Sequence, residues 1–220
     1  MEKLFYPSSI AIVGLSGKEQ NNPKNILENL IRWGYRGRIF GVNPSATEYE
    51  VSGIKIYKSA TELPEIPDLG VILIPAKYVP SAVDDCGMAG IKRLAILSGG
   101  FNESGEEGQK LACMMVDNAK KYGIRFVGPN ALTLANTANG MCLPFVPSFK
   151  TPKGGLSMIT QSGGLGIFLW NLMESENVGM AKFISIGNKL DLDESDFIEY
   201  LGSDPETNVI CVYLESINDG

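Results

Sequence analysis

Apolar residues along this chain come in short runs, each cut off by glycine, proline or asparagine. Ser9-Ile10-Ala11-Ile12-Val13 is uncharged and rich in β-branched residues, and it stops at Gly14. Such a run predicts a strand buried on both faces. The same pattern predicts strands at 38–42, 69–74, 93–97 and 125–127, with a short one at 55–57 in the irregular stretch from Ala46 to Pro67. Between them, apolar residues recur at helical spacing. Ile26, Leu27, Leu30 and Ile31 predict a helix over 25–32, a second is expected over 79–89, and Leu111, Met114, Met115, Ala119 and Tyr122 at core-like positions predict a long one over 106–122. Buried strands alternating with helices argue for a doubly wound parallel sheet. The first β–turn–α–β unit, about 35 residues long, has the size of a mononucleotide-binding half.

The pattern breaks from Thr137 to Gly155, where Pro144, Pro147, Pro152 and Gly154-Gly155 leave little periodicity. This predicts a loop and a connection between domains, with the boundary near 145–152 and domains of 1–145 and 146–220. Strand patterns return at 156–160, 182–186 and 209–214, with an apolar helix start at Ile167-Phe168-Leu169-Trp170 and a helix over 194–201. Three strands are too few for a doubly wound domain, so a truncated second α/β domain is expected.

Composition narrows the function classes. The 220 residues carry a net charge of −6, with scattered basic residues, which argues against a nucleic-acid surface. No apolar run approaches the ~18 residues that span a bilayer, and no signal-peptide pattern follows Met1, so no membrane association and a cytoplasmic setting are expected. The cysteines at 86, 113, 142 and 211 lack metal-site spacing and read as reduced thiols. There is no histidine. Catalysis that needs an imidazole must borrow it from elsewhere.

Candidate chemistry gathers at the strand ends, where open parallel sheets bind ligands. Five turns there carry small or backbone-exposing residues: Gly14-Leu15-Ser16-Gly17, Asn43-Pro44, Pro75-Ala76, Ser98-Gly99-Gly100-Phe101 and Gly128-Pro129-Asn130. Each alone is ordinary turn chemistry; together on one edge they favour a nucleotide-type site. The G-x-G-x-x-G fingerprint is missing and Asn43 stands where an acid would hold a ribose, which weakens a nicotinamide reading. In Leu156–Gly166, a strand runs into Gln161-Ser162-Gly163-Gly164 and then a helix start, a backbone cradle suited to phosphate. Thr160-Gln161-Ser162-Gly163-Gly164 also looks like a nucleophile elbow, but that chemistry needs a histidine. Ser162 therefore reads as a hydroxyl donor to phosphate. The acids at 191, 193, 194, 196 and 199 read as an exposed helix start, with no metal site expected. Glu215, at a predicted strand end, faces the same edge as the cradle and could orient an imidazole brought from elsewhere.

These residues resemble a known family. Ser9–Gly14, Gly41–Pro44, Val71–Ala76, Ser98–Phe101, Gly105–Gly108, Tyr122–Arg125 and Gly128–Asn130 are similar to the CoA-binding domain of the NDP-forming acyl-CoA synthetases. Gln161–Gly164, Ser185–Asn188 and Tyr213–Glu215 look like the next domain, shared with the succinyl-CoA synthetase α subunit. The resemblance implies a Rossmann-like CoA-binding domain followed by a truncated flavodoxin-like α/β domain. It implies the reversible conversion of acyl-CoA, ADP and phosphate into acid, CoA and ATP through a phosphohistidine lying outside this chain. Coenzyme A would contact Gly14, Ser16, Gly17, Asn43, Pro44, Pro75, Ala76, Ser98, Gly99, Gly100, Phe101, Pro129 and Asn130. Ser162, Gly163 and Gly164 would hold the phosphoryl group, and Glu215 the histidine. An ATP-grasp subunit or domain would bind Mg-ADP or Mg-ATP, in an oligomeric assembly acting on an organic acid or its acyl-CoA. The alternative is a non-catalytic regulatory module that binds CoA or a nucleotide.

Overall fold

The computed structural model describes residues 1–146 and 151–217. After a short helix α1 (Glu2–Phe5), the chain lays down strand β1 (Ser9–Val13), helix α2 (Asn22–Trp33), strands β2 (Arg38–Val42), β3 (Glu50–Val51), β4 (Ile54–Tyr57) and β5 (Leu69–Ile72), helix α3 (Val79–Met88), strand β6 (Arg93–Ile96), helix α4 (Gly105–Tyr122) and strand β7 (Arg125–Val127). These strands form one sheet in the order β3-β4-β2-β1-β5-β6-β7, parallel apart from the β3–β4 pair. Leaving out β3, this is the order of the dinucleotide-binding folds, with the chain's direction of winding reversing between β1 and β5. The crevice beyond the carboxyl ends of those two strands follows from that reversal.

Local sequence explains the helix ends. Helix α2 starts at Asn22, before the expected residue 25, because the Asn21 side chain accepts from the Lys24 amide and Pro23 suits the first turn. It stops at Gly34, whose φ of 80° only a residue without Cβ adopts freely. Helix α4 ends the same way at Gly123.

The second sheet begins earlier than expected. Strands β8 (Thr133–Asn136) and β9 (Met141–Cys142) form a hairpin; β8 lies just before the stretch whose weak periodicity predicted a loop, and β9 lies inside it. Strand β10 (Lys153–Thr160), helix α5 (Gly163–Ser175), strand β11 (Met180–Ser185), helix α6 (Glu194–Gly202) and strand β12 (Val209–Tyr213) follow. The order is β12-β10-β11-β8-β9, so the described residues hold five strands rather than three. Strand membership changes sheets after β7, upstream of residue 145; residues 147–150 of the expected boundary lie outside the described residues, as do 218–220.

The two sheets share one apolar core, in which Leu4, Phe5, Ile10 and Ile12 meet Leu134, Ile159, Ile184 and Phe197. The Phe5 ring stacks on Tyr200 at 4.8 Å. Residues 188–192 also run along the outer edge of β7: the amides of Asn188, Leu190 and Leu192 donate to the carbonyls of Pro129, Gly128 and Phe126. Asp191 binds Arg125 at 2.9 Å and accepts the Phe126 amide at 2.7 Å. This seam is tight. Gly187 has a φ of 57°, and a Cβ there would stand 2.3 Å from the Pro129 carbonyl oxygen.

A buried ion pair fixes the start of the second sheet against the N-terminus. Lys182, on β11 and fully buried, meets Asp204 at 2.6 Å and Glu206 at 3.2 Å, and Tyr6 donates to Glu206 at 2.6 Å. Burial works against the Lys182 charge, but Asp204, Tyr6 and Glu206 outweigh it and raise its pKa. Burial likewise pulls the Asp204 carboxyl up, and the Lys182 and Thr207 hydrogen bonds more than reverse it. Its contribution to stability is thus complete above the ordinary carboxyl pKa of roughly 4 and is lost as pH falls through the depressed folded value. Lys182→Met should lower urea stability by about 3–5 kcal/mol by leaving a buried carboxylate alone, and Lys182→Met/Asp204→Leu should recover most of it. Equal losses in both variants would show that the pair itself, rather than the stranded charge, sets the cost.

Candidate functional site

The reversal between β1 and β5 opens a cavity of about 650 Å³ lined by Gly14, Ser16, Asn43, Pro44 and Pro75 together with Lys18, Lys58 and Tyr78. The first turn is built from one side chain. Asn21 Oδ1 accepts from the Ser16 amide at 3.2 Å while its Nδ2 donates to the Gly14 carbonyl at 3.1 Å. Gly14 has a φ of 99°, and a Cβ would stand 2.6 Å from Ile74 Cγ2. Asn43 braces the same turn by donating to the Leu15 carbonyl at 3.0 Å. Its amide is thus spent on architecture, and its place at the end of β2 still lines the cavity. Gly17 lies beside Glu48, and Ala76 faces Gly100 across the edge; neither lines this cavity. Lys18 and Lys58 carry no local sign of a shared site. They are isolated lysines whose convergence depends on the fold.

A second cavity of about 740 Å³ lies where the two sheets meet. The N-cap and first residues of α5 supply Ser162, Gly163 and Gly164, Glu215 closes one side, and Gly99 and Asn130 enter from the first sheet. Its walls include Leu97, Leu132 and Ile167. Leu73 lines both cavities, so they are neighbours along one edge. Gly99 and Asn130, expected among the CoA turns, line this second cavity beside the cradle. Ser98 is buried, with its Oγ accepting the Ile74 amide at 3.0 Å. Phe101 is fully buried in the core. The Gly100 and Phe101 amides donate to Glu103 at 2.6 and 3.2 Å. Burial pulls the Glu103 carboxyl up, but the Gly100 amide and the Asn188 side chain, at 2.6 Å, hold it below the usual carboxylate range. Pro129 offers its carbonyl to Asn188.

The cradle fits an anion. Ser162 is the N-cap of α5, its Oγ accepting from the Leu165 amide at 3.3 Å. The first amides of a helix have no carbonyl within the helix to bind, and they aim outward with the positive end of the helix dipole. The acids after residue 190 serve the fold: Asp193 and Asp196 make a capping box and Glu194 binds Lys189. Among the described residues no group of acids and cysteines could hold a metal.

With this geometry in place, comparisons with known proteins are informative. The family described as "CoA binding domain" matches residues 8–137, and the "Succinyl-CoA ligase like flavodoxin domain" matches 153–220. The chain belongs to the CoA binding domain family. Within it, the chain is 40% identical to the α subunit of an ADP-forming acetate–CoA ligase from Pyrococcus furiosus, over all of this chain and 48% of that one. It is 34% identical to an ADP-forming 4-hydroxybutyrate–CoA ligase from Nitrosopumilus maritimus, over 99% of this chain and 31% of that one. A structure of acetyl-coenzyme A synthetase 1 from Ca. Korarchaeum cryptofilum, in complex with phosphate and ADP, superposes with a TM-score of 0.94 at 37% identity, covering 100% of this chain and 46% of that one. The chain thus spans half or less of the length of these relatives.

The glycines of the cradle separate packing from binding. A Cβ at Gly164 meets nothing within 4 Å, whereas one at Gly166 would stand 2.7 Å from Thr160 Cγ2. Gly164→Ala should keep or slightly raise urea stability, by up to about 1 kcal/mol, and Gly166→Ala should lower it by about 1–3 kcal/mol. A stability loss at Gly164→Ala would mean that this residue is held by packing.

Proposed function

We propose that this chain is the CoA-binding and phosphohistidine-docking part of an ADP-forming acyl-CoA synthetase. The observation that carries this reading is the pair of adjoining cavities, one set at a sheet reversal with Lys18 and Lys58 in its lining, the other built on a helix N-terminus beside a carboxylate. The complete enzyme would convert acyl-CoA, ADP and phosphate into acid, CoA and ATP. Bound CoA would supply the thiol that accepts or releases the acyl group. Lys18 and Lys58 would attract its phosphates, and the backbone of Gly14–Gly17 would approach them closely. Ser162 Oγ and the amides of Gly163 and Gly164 would stabilise charge on the phosphoryl group, and Glu215 would hold the imidazole of a histidine outside this chain. Asn130 and Gly99 would border the place where acid and phosphoryl group meet. Mg-ADP or Mg-ATP would bind an ATP-grasp part, fused or separate, within an oligomer.

No helix among the described residues is long and apolar enough to cross a membrane. We assign the protein to the cytoplasm, a setting that suits its four cysteines, none of which forms a disulfide among the described residues.

The two sites should separate by mutation in the complete enzyme. Ser162→Ala should slow phosphoryl transfer roughly 100-fold and leave CoA affinity alone. Lys58→Ala should weaken CoA binding about tenfold with phosphorylation by ATP unchanged. Titration calorimetry and transfer of labelled phosphate read the two effects. A Ser162→Ala enzyme that lost CoA affinity instead would contradict the division into two sites.

A further inference from the structure

We infer that Gln161 and Lys189 are positioning residues that hold the Glu215 carboxylate in the second cavity, acting through the backbone of residues 215 and 216. The inference rests on the reading of Glu215 as the group that orients an imidazole. Glu215 follows β12, the outermost strand of its sheet, and both it and Ser216 are exposed. An exposed segment leaving an edge strand has no sheet partner to set its course.

Side chains set it instead. Gln161 Oε1 accepts the Glu215 amide at 2.9 Å and the Ser216 amide at 3.1 Å, and its Nε2 donates to Ser216 Oγ at 3.0 Å. Both lone pairs of the amide oxygen are thus committed to this segment. The Gln161 backbone amide also donates to the Tyr213 carbonyl, which extends the β10–β12 pairing to the point where the segment departs. From the other side, Lys189 Nζ donates to the Ser216 carbonyl at 2.6 Å. Lys189 is 5% exposed, and both Glu194 oxygens lie 2.9 Å from its ammonium. Burying an ammonium is costly unless it is paired, and Glu194, in the first turn of α6, supplies the pair. Gln161 adjoins the phosphate cradle and Lys189 sits in the seam along β7. The segment is therefore indexed to both walls of the cavity.

The test uses the complete enzyme and the rate of phosphoryl transfer from ATP to its histidine, with CoA affinity measured in parallel. Gln161→Ala should slow transfer on the order of 10- to 100-fold with CoA affinity unchanged. Lys189→Met/Glu194→Gln, which removes the clamp without stranding a charge, should act in the same direction and keeps the test available if Gln161→Ala does not fold. Because both braces work through Glu215, adding either change to Glu215→Gln should cost less than about a further twofold. The acid limb of the pH–rate profile should move to lower pH in Gln161→Ala as in Glu215→Gln, since a nearby carboxylate raises an imidazole pKa. Multiplying losses in the combined variants, or unaltered transfer in Gln161→Ala beside slow transfer in Glu215→Gln, would overturn the inference. If Glu215→Gln itself transferred at the normal rate, the role of Glu215 would fall, and the positioning role with it.

Discussion

The candidate site depends on the seam between residues 188–192 and the outer edge of β7. An exposed parallel edge strand carries unpaired amides and carbonyls, and here the second sheet covers that edge with three backbone hydrogen bonds and the Arg125–Asp191 pair. The seam sets Gly187 and Asn188 against Pro129 and Asn130. It thereby holds the turn of Gly99 and Asn130 beside the cradle of Ser162–Gly164. The closeness at Gly187, where a methyl group would meet backbone oxygens, shows why a glycine ends the approach.

Around that seam, polar groups are committed in a consistent order. Asn21 and Asn43 shape the first turn, Glu103 and Asn188 bridge the sheets, and Gln161 and Lys189 hold the segment that bears Glu215. Each of these side chains satisfies backbone or side-chain partners of the protein. The residues opening α5, Ser162 and the lysines of the first cavity line the two clefts, with Ser162 Oγ also accepting the Leu165 amide and Lys58 also donating to the Ala46 carbonyl.

Much of this was legible in the residue pattern. Ile10–Val13, Leu69–Ile72 and Phe183–Ser185 are buried strands with no charge to obscure them, and the turns at Gly14 and Ser162 announce themselves by glycine and small polar residues. The β8–β9 hairpin was not legible, because the four-residue Thr133–Asn136 has a polar residue at each end and the two-residue β9 is too short to show a period. Lys182 reads as a charge at the start of a strand; Asp204, twenty-two residues on, and Glu206 let it be buried. The contacts of Gln161 with Glu215 and Ser216, more than fifty residues apart, have no local signature. The placement of Gly99 and Asn130 beside the cradle, away from the first cavity, likewise needed both sheets in position.

Two adjoining but distinct anion-recognising clefts on one chain should answer to different ligands. Amide-resolved NMR of the chain, titrated with CoA and separately with inorganic phosphate, tests this most directly. CoA should shift the amides of Gly14–Lys18, Asn43 and Ser45, while phosphate should shift those of Gly163–Leu165. CoA perturbing the start of α5 while leaving the first turn unmoved would contradict the account.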